Sequence, residues 1–118
     1  MIRVHEGDLD WDDDNYPWLH GERFTGEVVE TLPDGRLLSL STYLDGRDHG
    51  PFKAWSGTGV LVVDGTSDRG LPVSQREWFD DGSPKAEREY DGQGILVRSR
   101  LWNSDGEVTE DYVKPADG

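Results

Sequence analysis

Three histidines, His5, His20 and His49, and 25 acidic side chains are the groups of this 118-residue chain that could move protons or hold a metal. None of the histidines sits at a spacing that makes a metal site or a catalytic triad. The chain has no Gly-x-Ser-x-Gly, no His-Glu-x-x-His and no phosphate loop. Ser56-Gly57-Thr58-Gly59 has the glycines of a phosphate cradle but lacks the Lys and the helix that would follow, so it reads as a turn. Asp8, Asp10, Asp12 and Asp14 alternate like the first half of a calcium loop. A loop starting at Asp10 would need Gly at 15 and Glu at 21, and the chain has Asn15 and Gly21. Paired carboxylates can cleave a glycosidic bond, but only in a deep cleft where one of them stays protonated. The expectation is a protein with no catalytic residues, no metal and no cofactor.

The same residue types suit binding better. Asp10, Trp11, Asp12, Asp13, Asp14, Tyr16 and Trp18 interleave carboxylates with aromatics in one short segment. Aromatics dominate binding hot spots. Residues 1–30 hold nine acids and two bases, which is seven of the thirteen net negative charges. With a pI near 4.4, the chain should repel nucleic acid and anionic lipid. It has no cysteine, so disulfides and thiol chemistry are excluded. No stretch approaches the roughly 18 apolar residues of a membrane span, and the start lacks the features of a signal peptide. A cytoplasmic protein, monomeric when free, is expected. Low hydrophobic content (33%) and a mean hydropathy of −0.77 suggest disorder, but five Trp, four Tyr and three Phe argue for a thin aromatic core.

The elements that must carry these residues repeat. Turn glycines at 35, 59, 82 and 106 are spaced by 24, 23 and 24 residues. Trp55, Trp78 and Trp102 each stand four residues before one of the last three. A second series, Gly46, Gly70 and Gly92, falls between. Tyr43 and Tyr90 follow Gly35 and Gly82 by eight residues. The flanks are strand-like: Glu27-Val28-Val29-Glu30-Thr31, Leu37 to Tyr43, Val60-Leu61-Val62-Val63 and Ile95-Leu96-Val97. In Pro84 to Tyr90, charged Lys85, Glu87 and Glu89 alternate with Ala86 and Tyr90 at the period of two that marks a strand. Asp-Gly pairs predict type I′ hairpin turns. The expected fold is all-β: an elongated, twisted antiparallel sheet of about four hairpins with a period of 23–24 residues. Trp55, Trp78, Trp102, Tyr43 and Tyr90 are expected to form its core ladder. Residues 1–20 would be an acidic aromatic arm or cap, 21–113 the hairpins, and 114–118 a flexible tail.

Trp78-Phe79-Asp80-Asp81-Gly82 through Glu87-Arg88-Glu89-Tyr90-Asp91-Gly92 resembles the bacterial variant of the MORN-type repeat. Trp102-Asn103-Ser104-Asp105-Gly106 is similar to its first half, and Phe24-Thr25-Gly26 and His49-Gly50-Pro51-Phe52 to its opening. The resemblance covers about residues 21–112. Trp55-Ser56-Gly57-Thr58-Gly59 departs from it by lacking Asn/Asp-Gly, and Val63 to Gly70 by lacking the Tyr. The resemblance implies an antitoxin or immunity protein that binds a cognate toxin and occludes it. The negative charge suits a basic toxin, such as a nuclease or a base deaminase, with Asp12, Asp13, Asp14, Asp80 and Asp81 standing in for phosphates. The alternative is a generic protein-interaction scaffold with no toxin.

Overall fold

The glycine turns and the short β-prone runs between them leave little room for a helix, and the chain folds accordingly. A computed structural model describes residues 1–116. Its strands, in chain order, are β1 (Arg3–His5), β2 (Asp10–Trp11), β3 (Pro17–Leu19), β4 (Glu22–Arg23), β5 (Gly26–Thr31), β6 (Leu37–Leu44), β7 (Arg47–Asp48), β8 (Gly50–Trp55), β9 (Leu61–Asp68), β10 (Leu71–Trp78), β11 (Pro84–Tyr90), β12 (Leu96–Trp102) and β13 (Val108–Val113). One three-residue 3-10 turn (Glu6–Asp8) precedes β2. The protein is all-β.

Ten strands form one sheet in the order β1-β5-β6-β8-β9-β10-β11-β12-β13, with β7 paired to β6. From β5 onward the pairings are antiparallel, but β1 lies parallel to β5, with Val4 opposite Val28. The sheet is therefore mixed, not purely antiparallel. The parallel pairing arises because β1 returns to the sheet through a crossover that contains β2, β3 and β4. Those three strands make a separate small sheet. His20-Gly21, at the expected junction of arm and hairpins, is the turn between β3 and β4. In the expected tail, the Lys114 N–H donates to the Val97 carbonyl at 2.8 Å; residues 117–118 lie outside the described residues.

Four hairpins, β5–β6, β8–β9, β10–β11 and β12–β13, close at Gly35, Gly59, Gly82 and Gly106. Their turns are not type I′. The glycine alone has positive φ (+85° to +92°), its N–H donates to the carbonyl three residues back, and one strand gains a bulge residue. This is a type I turn followed by a glycine bulge, a common three-residue hairpin. Type I′ geometry, with two successive positive φ angles, occurs at His20-Gly21, Asp45-Gly46 and Arg69-Gly70. The interleaved series also shifts. Gly94 (φ +78°), not Gly92, closes the β11–β12 turn, so the series is Gly46, Gly70, Gly94 at an even 24 residues. A meander places the two series at opposite strand ends. At one end the turns are laced together: Gly46 N–H donates to Phe24 O (2.8 Å) and Gly70 N–H to Asp48 O (2.7 Å).

The buried hydrophobic cluster lies away from the tryptophan series. Leu9, Phe24 and Val28 form the buried cluster, with Val4, Leu19 and Tyr43 packed around it where the small sheet meets the N-terminal end of the large one. Trp55, Trp78, Trp102 and Tyr90 are half-buried. Each Trp pairs across its own hairpin, with Leu61, Pro84 and Val108, beside a bulge that follows from the turn type. Beyond β8 most of the sheet is a single layer. The radius of gyration, 16.2 Å, exceeds the roughly 13–14 Å of a compact chain this long. Packing on that part comes from neighbours in the sheet, as in other repeat arrays.

Candidate functional site

Asp12-Asp13-Asp14-Asn15-Tyr16 is a hairpin turn of the same kind as those in the large sheet. Asn15 takes the glycine position at φ +66°, which Asn tolerates better than most residues. Asp12 N–H donates to Tyr16 O (3.1 Å) and Asn15 N–H to Asp12 O (2.9 Å). Asp12 Oδ1 accepts the N–H groups of Asp14 (3.0 Å) and Tyr16 (2.9 Å), and Oδ2 accepts the Trp18 indole N–H (2.9 Å). These bonds, the Trp18 indole first, hold the Asp12 carboxyl below its ordinary range. Asp12 therefore builds the turn, while Asp10, Asp13 and Asp14 stand exposed around it. Trp18 is half-buried, with the Arg23 guanidinium 5.7 Å from its ring centre.

On the other side of this turn, Trp11 is 39% and Tyr16 42% exposed. The Trp11 indole N–H donates to the Glu6 carbonyl (3.2 Å), and its ring meets Tyr43 edge-on at 6.3 Å. Glu6, Leu9, Trp11, Asn15 and Tyr43 line an open cleft of about 490 Å³. Burial, with the nearby charges of Asp48 and Glu6, pushes the Tyr43 hydroxyl up to about 12. The strand pairing Gly26–Tyr43 brings this tyrosine from the large sheet to the small lobe, a contact that the sequence segment 10–18 alone does not reveal.

Asp80 and Asp81 are not part of that surface. They lie on the β10–β11 turn, at the strand ends opposite the Asp45-Gly46 turn. Asp81 Oδ1 accepts the Ser83 hydroxyl (2.6 Å) and N–H (2.9 Å), which lowers its pKa; Asp80 is exposed. Trp78 and Phe79 sit beside them in a shallow groove of about 610 Å³, with Lys85 5.6 Å from the Phe79 ring centre. The histidines are dispersed. His5 Nε2 meets Thr31 Oγ1 (3.0 Å), His20 is in a turn, and His49 Nδ1 accepts the Arg69 N–H (3.1 Å). Among the described residues no group of three or more His, Asp or Glu is placed to hold a metal.

The strand register also builds a feature that the sequence reading missed. Lys53, Asp64, Arg76, Glu87, Arg100 and Asp111 are successive cross-strand partners on β8 to β13. They form one row of alternating charge on one face. Arg100 closes on Asp111 at 3.1 Å. Glu89 and Arg98 flank the row, and with Asp64, Arg76, Glu87 and Arg100 they line a groove of about 480 Å³. The signal was present: the bases 53, 76 and 100 and the acids 64, 87 and 111 keep the 23–24-residue period of the turn glycines. No family model, curated protein or solved structure matches the chain.

Proposed function

We propose that the chain is a protein-binding inhibitor of the antitoxin or immunity type, which engages a basic toxin and covers its working surface. The observation that carries this reading is the N-terminal lobe. Its turn holds Trp11 and Tyr16 exposed beside Glu6, Asp10, Asp13 and Asp14. Rigid aromatics supply contact area at small entropic cost, and surrounding carboxylates steer a cationic partner and match it on arrival. A nuclease or base deaminase presents such a cationic groove. The bacterial MORN-type resemblance of residues 21–112 adds the toxin-inhibitor class, and the four hairpins would then be its repeats. The other reading, an interaction scaffold with no toxin, shares the surface and differs in the partner.

The test is capture of the stoichiometric partner from the native cell, followed by a salt titration of the purified pair. The affinity should fall by about tenfold or more between roughly 50 mM and 500 mM salt. Trp11→Ala should weaken it further at every salt concentration. A tight partner that is acidic, or an affinity indifferent to salt, would remove the steering role of the carboxylates.

A further inference from the structure

We propose that β13 is a docking edge that takes an extended cationic segment of a partner protein as an added strand, with consecutive Lys or Arg side chains seated against Glu110 and Asp111. For the partner's charge the inference rests on the function proposed above. β13 ends the strand order, and all six of its residues are exposed, with Val113 at 66%. The Lys114 N–H bonds inward to Val97. By the alternation of an antiparallel ladder, the N–H and C=O groups of Asp111 and Val113 point outward, unpaired within the sheet. Edge strands are commonly blunted by proline and by charged side chains, lysine above all. Val108–Val113 has no proline or lysine, and its charges are the two acids Glu110 and Asp111, which disfavour any added strand but a cationic one.

Charge selects the occupant. On one face the row Lys53-Asp64-Arg76-Glu87-Arg100-Asp111 alternates in sign and stops on an acid, so its next rung is a cation. On the other face Glu110 pairs with Leu101, and its Oε2 accepts the Ser99 hydroxyl (3.0 Å). A carboxylate has about four acceptor positions, so both acids can take a further donor. Neighbouring residues of a strand face opposite ways, so the two cations must be consecutive in the partner. A second copy of this chain fits poorly. Antiparallel self-pairing through these outward groups sets Asp111 against Asp111, or in the neighbouring register Glu110 against Glu110, between molecules each carrying a net charge of −13.

The experiment titrates the 15N-labelled 118-residue chain with a capped hexapeptide, Thr-Val-Lys-Arg-Val-Thr, and with its Glu-Glu counterpart. The expected result is shifts confined to β12, β13 and Lys114, slowed amide exchange at Asp111 and Val113, and about a tenfold preference for the basic peptide. Val113→Pro removes an outward donor without removing a bond to β12, and it should abolish binding while the remaining spectrum is unchanged. Glu110→Lys with Asp111→Lys should reverse the preference. Absence of binding, equal affinity for both peptides, or indifference to Val113→Pro would overturn the proposal. So would slowed exchange at Asp111 and Val113 that grows with protein concentration alone, which would mark self-pairing. Shifts centred on Trp11 and Tyr16 would remove the edge while leaving the inhibitor reading intact. A captured partner that ignores Trp11→Ala but is lost with Val113→Pro would do the reverse.

Discussion

Asp12, Asp91 and Asn103 do the same work at three turns. Each side-chain oxygen accepts the N–H groups two and four residues on. Such turn-initiating bonds explain why Asp and Asn dominate these positions. The charged versions carry a pH dependence. The Asp91 carboxyl is held low by the Ile95 and Gln93 N–H groups, as Asp12 is by Trp18 and Tyr16. A carboxyl that binds protons less readily folded than unfolded stabilises the fold above its unfolded value, near 3.8–3.9. That stability is lost as pH falls through the lower, folded value. Asp91→Asn keeps the acceptor, as Asn103 demonstrates, and should reduce the acid sensitivity of chemical denaturation midpoints without distorting the turn. Tyr43 runs the other way. Its raised value favours the neutral form in the fold, so stability is full below about 10 and is lost as pH rises towards about 12. One of the four tyrosines should ionise late in an alkaline absorbance titration, and Tyr43→Phe should remove that step. In the sequence, Asp12 looks like one acid among several. Its neighbours 13–15 fit the same turn as residues 92–94, but Asn15 in place of glycine hides the match.

At the scale of the element, the glycines separate into tolerant and intolerant positions. A Cβ at Gly106 would meet open space, so Gly106→Ala costs only the left-handed backbone conformation, about 1–2 kcal/mol. A Cβ at Gly65, in the middle of β9, would collide with the Phe52 ring and with the Ser74 carbonyl at 2.6 Å. Gly65→Ala should therefore be the more damaging of the two in thermal melts, with spectra showing a disturbed β8–β9–β10 region. The core gives a similar contrast. Phe24, 2% exposed, should cost about 3–5 kcal/mol on replacement by Ala. Trp78, half-buried beside a turn, should cost less than Phe24, because part of its surface is already wet. Melting the two variants side by side checks the order, and equal losses would contradict it. The hairpins and their period were legible because turn chemistry is local. The turn type was not, since Asp-Gly suits both a type I′ turn and a type I turn with a glycine bulge; the loop length, two residues or three, decides. The parallel β1–β5 pairing was hidden because a three-residue strand, Arg3-Val4-His5, is too short to carry a pattern that marks its partner.

At the scale of the molecule, the fold is one large sheet of hairpins with one thick end. The small lobe buries Leu9, Phe24 and Val28 there and leaves the other strands to support one another. Such an array has two ends and two faces, and its charge is distributed differently over each. Seven of the thirteen net negative charges lie in residues 1–30. The middle strands are nearly balanced, with the Lys53–Asp111 row alternating in sign; its ion pair Arg100–Asp111 is largely exposed and gives little stability, about 0–1 kcal/mol. Net charge and the acidic segment were legible from composition. The row was not, because it exists only once strand register aligns residues 11–13 positions apart. The division concentrates acidic side chains at the thick end and at the last strand, where the proposed cationic partner would engage. Capturing the partner from the native cell at low salt, with the wild-type chain and with the Trp11→Ala, Tyr16→Ala pair, tests this most directly. One basic protein at equal stoichiometry, released by high salt and lost from the double variant, is the predicted result. An acidic or salt-insensitive partner retained equally by both chains would contradict it.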